Sequence, residues 1–285
     1  MAVAADLEVV APPAEAPAPR RSAILARRTW DATWPKILAI AIVILAWQIV
    51  VWSHWKEEFL IPSPFTVFDR LWVDRADMAA SAWVTLERGI QGFIVAVIIG
   101  GILGIAVARV PVLRAAIGSM ITGLQTMPSV AWVPLAIILF RQGTGTVLFV
   151  VVLGAAPSIA NGIINGIDNV PPLLLRAGRV LGARGIGAMR HIVIPAALPS
   201  VIGGLKQGWS FAWRSLLAAE LIAQLPGHLG IGQQLNFAGT RADYIGVFEA
   251  MIVILVIGVL VDSLVFGTTD RAIRRRYGLI DAAAA

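Results

Sequence analysis

The sequence predicts an all-α polytopic membrane protein with six spans, and three observations predict it. Of its 285 residues, 58% are hydrophobic and 14% are charged, against roughly 25% charged in an ordinary soluble domain. Too little polar surface remains to wrap a water-facing shell around so apolar a chain. The charges also leave long gaps: uncharged runs of 19, 20, 26 and 26 residues separate Lys36 from Lys56, Arg88 from Arg109, Arg114 from Arg141 and Arg141 from Asp168. A helix needs about 20 residues to cross ~30 Å of hydrocarbon. Finally, the cations collect on one side of these runs.

The first 34 residues read as a basic tail rather than a domain, since Ala11 to Pro19 is APPAEAPAP and cannot bury a core. Acidic residues precede its arginines, and the apolar run that follows is too long for a secretory signal. Residues 35–275 form the membrane domain, with spans near 36–54, 84–108, 114–140, 145–166, 198–224 and 246–267, and residues 276–285 form a C-terminal tail. The last two spans each contain ionisable residues. Between spans 1 and 2, Ile61-Pro62-Ser63-Pro64 sets a turn. Val67, Phe68, Leu71 and Trp72 then predict a short amphipathic helix at the membrane surface. In span 2, Gly100, Gly101 and Gly104 provide spacing for close helix contact.

Orientation follows from the connections. The N-terminal tail, the 2–3 turn, the 4–5 loop and the C-terminus carry 15 of the 23 Lys and Arg, and the opposite side carries six. Both termini therefore face the cytoplasm. The remaining two, Lys206 and Arg214, lie inside span 5.

Most enzyme chemistries are missing. Without cysteine there is no disulfide frame, zinc ribbon or thiol nucleophile. His54, His191 and His228 are too scattered for a metal site. Gly143-Thr144-Gly145-Thr146 lacks the lysine of a phosphate loop. No catalytic residue, cofactor or metal is predicted. The cations sit at membrane boundaries rather than along one face, so the partner they indicate is lipid and not nucleic acid.

Two features point to transport. The loop at about 168–197 contains PPLLLRAGRVLGARGIGAMRHIVIP. Pro171 and Pro172 open a helix, and Pro195 and Pro199 are expected to close the segment. Its small residues fit either a docking helix or a surface helix on lipid headgroups. The second feature is Arg214, about 20 Å into the membrane if span 5 enters near Val201. A cation there faces a bundle interior, water or a partner. It is either a transient site for an anionic substrate or half of an ion pair with Glu220, Glu249 or Glu87. Pro128 and Pro134 bend or break span 3, and either line a pathway or serve packing. Trp132 between them either plugs that pathway or packs at a helix interface.

At this point the sequence resembles a family. Arg176-Ala177-Gly178, three residues, Gly182, nine residues, Ile192-Val193-Ile194-Pro195 is similar to the loop signature of ABC-importer permeases, usually Glu-Ala-Ala, three residues, Gly, nine residues, Ile-x-Leu-Pro. Arg176, Gly178 and Ile194 depart from that pattern. Ile61-Pro62-Ser63-Pro64, Met127-Pro128-Ser129-Val130-Ala131-Trp132-Val133-Pro134-Leu135 and Ala218-Ala219-Glu220-Leu221-Ile222 resemble the nitrate/sulfonate/taurine/bicarbonate branch. The segments Leu205 to Trp209 and Phe211 to Arg214 look most like aliphatic-sulfonate permeases.

The resemblance implies a type I importer fold in a bacterial plasma membrane, assembled from two permease copies, two cytoplasmic ATPases and an extracytoplasmic binding protein. It implies a coupling loop containing Arg176, Ala177, Gly178, Gly182, Ile192 and Pro195. The pathway candidates are Pro128, Trp132, Pro134, Trp213, Arg214 and Glu220. A channel would need a charged ring, and a secondary transporter repeated halves or a coupling-ion site, none of which is evident.

Overall fold

The computed structural model describes residues 21–277, so most of the expected tail and the last eight residues lie outside it. The described residues contain helices and turns and no strand. They divide into two compact units, one up to Glu58 and one from Phe59 onward.

The first unit holds a single long helix, α1 (Arg21–Trp52), which tolerates Pro35 in its interior. Its helical part starts inside the stretch read from sequence as a tail. Thr33–Trp52 is long and apolar enough to cross a membrane.

The second unit opens with α2 (Pro64–Val73), the amphipathic helix expected after the Pro-Ser-Pro turn. Ser63 caps it, its hydroxyl accepting from the Thr66 amide at 3.2 Å, and Pro64 occupies the first turn, where no amide is needed. α2 turns its buried Val67 inward and leaves Phe65 and Trp72 exposed, as an interfacial helix should.

α3 (Arg75–Arg109) buries a stripe of small residues, Gly89, Gly92, Ala96, Gly100 and Gly104, spaced three and four apart. Gly92, Gly100 and Gly104 of that stripe pack on α6 (Thr144–Asp168). A Cβ on Gly100 or Gly104 would collide with the α6 backbone at Ala156 or Ala160, whereas Gly101 faces open space. On its other side α6 crosses α9 (Ile194–Ile222) at Gly162 and Gly204, where a Cβ on Gly204 would lie 2.6 Å from the Gly162 Cα. α6 is thus the central element, and Val147, Val151, Ala155, Ile159, Trp209 and Leu216 build the core around it.

The third expected span is broken. α4 (Pro111–Thr126) and the segment from Ser129 to Phe140, which contains α5 (Val133–Phe140), meet at 106°. Pro128 stands in the break with extended backbone. Pro134 lies in the first turn of α5 and breaks nothing. Five helices of the described residues are long and apolar enough to span, and the bent pair makes a sixth if counted as one.

The cytoplasmic loop corrects one expectation. α7 (Pro172–Val180) opens where Pro171 and Pro172 predicted, but Pro195 and Pro199 do not close the segment. A single turn, α8 (Gly185–Ala188), passes into a π turn (Met189–Val193) and directly into α9, giving continuous helix from Gly185 to Ile222. The Ile194 amide reaches back to Met189 in that π turn, so the widened helix relieves the carbonyl clash that Pro195 would otherwise create.

α10 (Ile231–Thr240), α11 (Tyr244–Val261), a π turn (Asp262–Phe266) and α12 (Gly267–Arg276) complete the described residues.

Candidate functional site

α9 carries four of the candidate residues, Pro195, Trp213, Arg214 and Glu220, and the candidates as a whole fall into three environments along it. At its outer end Glu220 is 1% exposed and fully engaged. It accepts from Arg88 at 2.8 Å, from Thr85 at 2.8 Å and from the Gly232 amide at 3.1 Å. Arg88 also donates to the His228 carbonyl at 3.0 Å, and Thr85 accepts from the Ile231 amide at 2.8 Å. Gln233 closes the set, accepting from the Gly230 amide and donating to the Leu225 carbonyl. The backbone of 225–232 is thereby tied to α3 and α9. Any Cβ on Gly230 or Gly232 would overlap the Glu220 side chain, which accounts for glycine at both positions.

In the middle of α9, Arg214 is exposed and has a different set of neighbours. Its Nε donates to the Ser210 carbonyl at 3.2 Å, and its guanidinium lies 4.7 Å from the centre of the Phe211 ring. No carboxylate lies within 4.0 Å of it among the described residues, so the ion pair with Glu220, Glu249 or Glu87 considered from sequence is not formed. Arg214 borders a groove of about 620 Å³ between α9 and α11, lined chiefly by Leu217, Leu221, Ile254 and Leu255. Its neighbour Trp213 is buried, stacked on Trp209 with ring centres 6.3 Å apart.

Trp132 is half-buried against the same core, while Pro128 and Pro134 are exposed. The broken segment is held to α9 by the Ser215 hydroxyl, which donates to Ser129 at 2.9 Å.

At its cytoplasmic end α9 is preceded by the signature loop, and the spacing now has a physical meaning. α7 ends in a Schellman turn: the Ala183 amide donates to the Gly178 carbonyl at 2.8 Å and the Gly182 amide to the Arg179 carbonyl at 3.1 Å. Gly182 sits at φ +83°, the left-handed region that favours glycine. Ile192 folds back onto Gly178, where a Cβ would overlap its side chain. Gly178, Gly182 and Ile192 thus form one hairpin, with Pro195 at the start of α9. Arg176 and Ala177 are exposed on it. So are Val180, Leu181 and Ile186, at 87%, 86% and 86%.

Sequence reasoning missed Arg88, Thr85 and Gln233. A buried acid in an apolar run signals that a partner exists, but Arg88 lies 132 residues away and looked like a loop cation. It also missed Asp262, which pairs with Lys206 at 3.2 Å. Glu249 is buried as well, not near Arg214 but beside an outer cavity of about 480 Å³ bordered by Arg70, Asp74, Arg241 and Asp243. On α2, the Asp74 carboxylate 2.6 Å from Arg70 raises that guanidinium above its ordinary value.

Several helices long and apolar enough to span a membrane, a cation beside a groove between two of them and a loop that exposes Val180, Leu181 and Ile186 have the architecture of a membrane transport subunit. The chain belongs to the binding-protein-dependent transport system inner membrane component family, whose model matches residues 96–275. It is a multi-pass permease subunit of an ABC importer in the bacterial plasma membrane.

It is 30% identical over 252 residues to the bicarbonate transport system permease protein CmpB of Synechococcus elongatus, covering 84% of this chain and 89% of that one. It is 27% identical over 244 residues to the taurine transport system permease protein TauC of Escherichia coli, covering 83% and 86%. An ABC transporter permease protein of Methanocaldococcus jannaschii is 31% identical over 179 residues, covering 63% of this chain and 66% of that relative's length. Among solved structures, an inward-facing MetNI methionine ABC transporter chain superposes with a TM-score of 0.58 at 19% identity, covering 70% of this chain and 97% of that one. An amino acid ABC transporter chain gives 0.58 at 18% identity, covering 73% and 98%. The fold is that of type I importer permeases.

Proposed function

We propose that this permease carries a small organic anion inward, an aliphatic sulfonate first, as one of two copies working with two cytoplasmic ATPases and an extracytoplasmic binding protein. The observation that carries the substrate class is Arg214. A guanidinium without a carboxylate, inside an apolar helix and beside a groove, supplies a planar fork suited to the oxygens of a sulfonate. Burial of an anion in low dielectric is strongly disfavoured without such a cation. The taurine and bicarbonate permeases among its relatives favour the same class and keep taurine, nitrate and bicarbonate as the second reading.

In this reading residues 35–275 are the permease domain, and the hairpin with Gly178, Gly182 and Ile192 is the ATPase contact. Its exposed Val180, Leu181 and Ile186 supply the apolar surface of that contact. ATP-driven closure of the ATPases would move the two hairpins and rock the bundle between inward-open and outward-open states. Because α8, the π turn and α9 form one continuous helix, a push on the hairpin is carried along it to Lys206 and Arg214. Pro128, Trp132, Pro134 and Trp213 shape the wall next to this path, and Glu220 holds its outer rim in place.

Arg214→Gln tests the assignment. The variant is expected to assemble with its ATPases as the native chain does and to lose at least nine-tenths of anion uptake. Full uptake by a normally assembled variant would remove Arg214 from the pathway.

A further inference from the structure

The pathway reading leaves a second charged group on the same face of α9. Lys206, Ser210 and Arg214 recur every four residues, so they form one row along the helix. The row is continuous in its hydrogen bonding. Arg214 Nε donates to the Ser210 carbonyl at 3.2 Å, and the Ser210 hydroxyl donates to the Lys206 carbonyl at 3.2 Å. The guanidinium of Arg214 therefore leans one turn back toward Lys206, in the direction of the signature loop. About 12 Å of helix separates the two residues.

The two cations differ in state. Among the described residues no carboxylate lies within 4.0 Å of Arg214, whereas Lys206 Nζ lies 3.2 Å from Asp262 Oδ2 on the neighbouring helix. That pair is not sealed: the two side chains are 44% and 43% exposed. Asp262 also borders the groove that Arg214 borders. It opens a π turn, Asp262–Phe266, a widened form of helix that concentrates at functional positions.

We infer that Lys206 and Asp262 form an inner station for the transported oxyanion, with Asp262 as its built-in counter-ion. This inference rests on the proposed anion reading. An anion leaving Arg214 passes the Ser210 level and meets Lys206, displacing the Asp262 carboxylate. The return of that carboxylate expels the anion toward the cytoplasmic end. A lone lysine at this depth would hold a sulfonate, nitrate or bicarbonate too tightly to release it, because charge attraction grows as the dielectric falls. A carboxylate 3.2 Å away keeps the station weak. Arg214 thus admits the anion and the Lys206–Asp262 pair discharges it.

The rival account is a static clasp between α9 and α11, and charge exchange separates the two. Complexes of permease and ATPases are reconstituted in liposomes with the binding protein, and import of radiolabelled ethanesulfonate, taurine, nitrate and bicarbonate is measured. Assembly is followed by size-exclusion chromatography. Asp262→Asn is expected to assemble normally, to import about tenfold more slowly and to half-saturate at about tenfold lower anion concentration.

The exchanged pair, Lys206→Asp with Asp262→Lys, keeps the attraction between the helices. It is expected to assemble but to import below one-tenth of the native rate, because a carboxylate now stands in the row with Arg214. Native rates in Asp262→Asn, or full recovery of import in the exchanged pair, would overturn the station and leave the anion reading intact. Import of none of the four anions by the native complex would overturn both.

Discussion

The two ends of α9 are built on opposite rules. At the outer end the buried polar groups around Glu220 are paired inside the chain: Glu220 alone receives three hydrogen bonds, and the loop amides of Gly230, Ile231 and Gly232 are all taken. At the cytoplasmic end the turns close on backbone hydrogen bonds alone, and the large aliphatic side chains of Val180, Leu181 and Ile186 project into open space. Buried polar groups without partners cost free energy, so the outer end has one arrangement and holds it. An exposed apolar surface is the mark of a contact still to be made. On the proposed function, the difference separates a part of the permease that is a fixed support from a part that the ATPase completes.

Removing the support should have the largest effect on the fold. Glu220→Ala leaves Arg88 beside a vacated site and takes away the acceptor of Thr85 and the Gly232 amide. Breaking a buried pair from one side costs about 3–5 kcal/mol. The detergent-solubilised chain should unfold well below the native melting temperature, and much of it should fail to assemble. A native melting curve would mean that the outer end is not the fixed support.

A milder change sharpens the same point. Thr85→Val keeps the shape but deletes the hydroxyl that accepts from the Ile231 amide and donates to Glu220. An unsatisfied buried donor costs about 1–3 kcal/mol. The melting point should fall measurably while assembly survives. Hydrogen exchange should rise first at Ile231, which is where the missing acceptor is felt.

How much of this contrast was legible in the sequence depends on the distance over which each device works. The spans were legible because an uncharged run is a local property, as Arg88 to Arg109 shows. The hairpin was legible as a pattern, since Gly178, Gly182 and Ile192 lie within one short segment. The Glu220 network was not, because its members come from α3, α9 and the loop before α10, and one sequence does not say which distant cation folds onto which acid. Pro195 misled for a different reason. A proline normally ends a helix, and here the π turn ahead of it lets the helix continue. The Gly162–Gly204 crossing was likewise hidden among 27 glycines until the helices were placed.

The smallest effect on the fold is expected at the other end of the contrast. Leu181 caps α7 and is 86% exposed, so it gives the isolated permease almost no burial. Leu181→Asp should change stability by no more than about 0.5 kcal/mol, as exposed substitutions do. It leaves the two turn hydrogen bonds, Gly182 to Arg179 and Ala183 to Gly178, untouched, so the hairpin keeps its shape. The same change places a charge in the middle of a surface that also includes Val180 and Ile186. If that surface seats in an ATPase, the charge must be desolvated there without a partner. Co-purification with the ATPase should then fall about tenfold or more while the melting curve of the permease alone stays in place. A loss of stability with unchanged ATPase binding would reverse the assignment, making Leu181 part of the support.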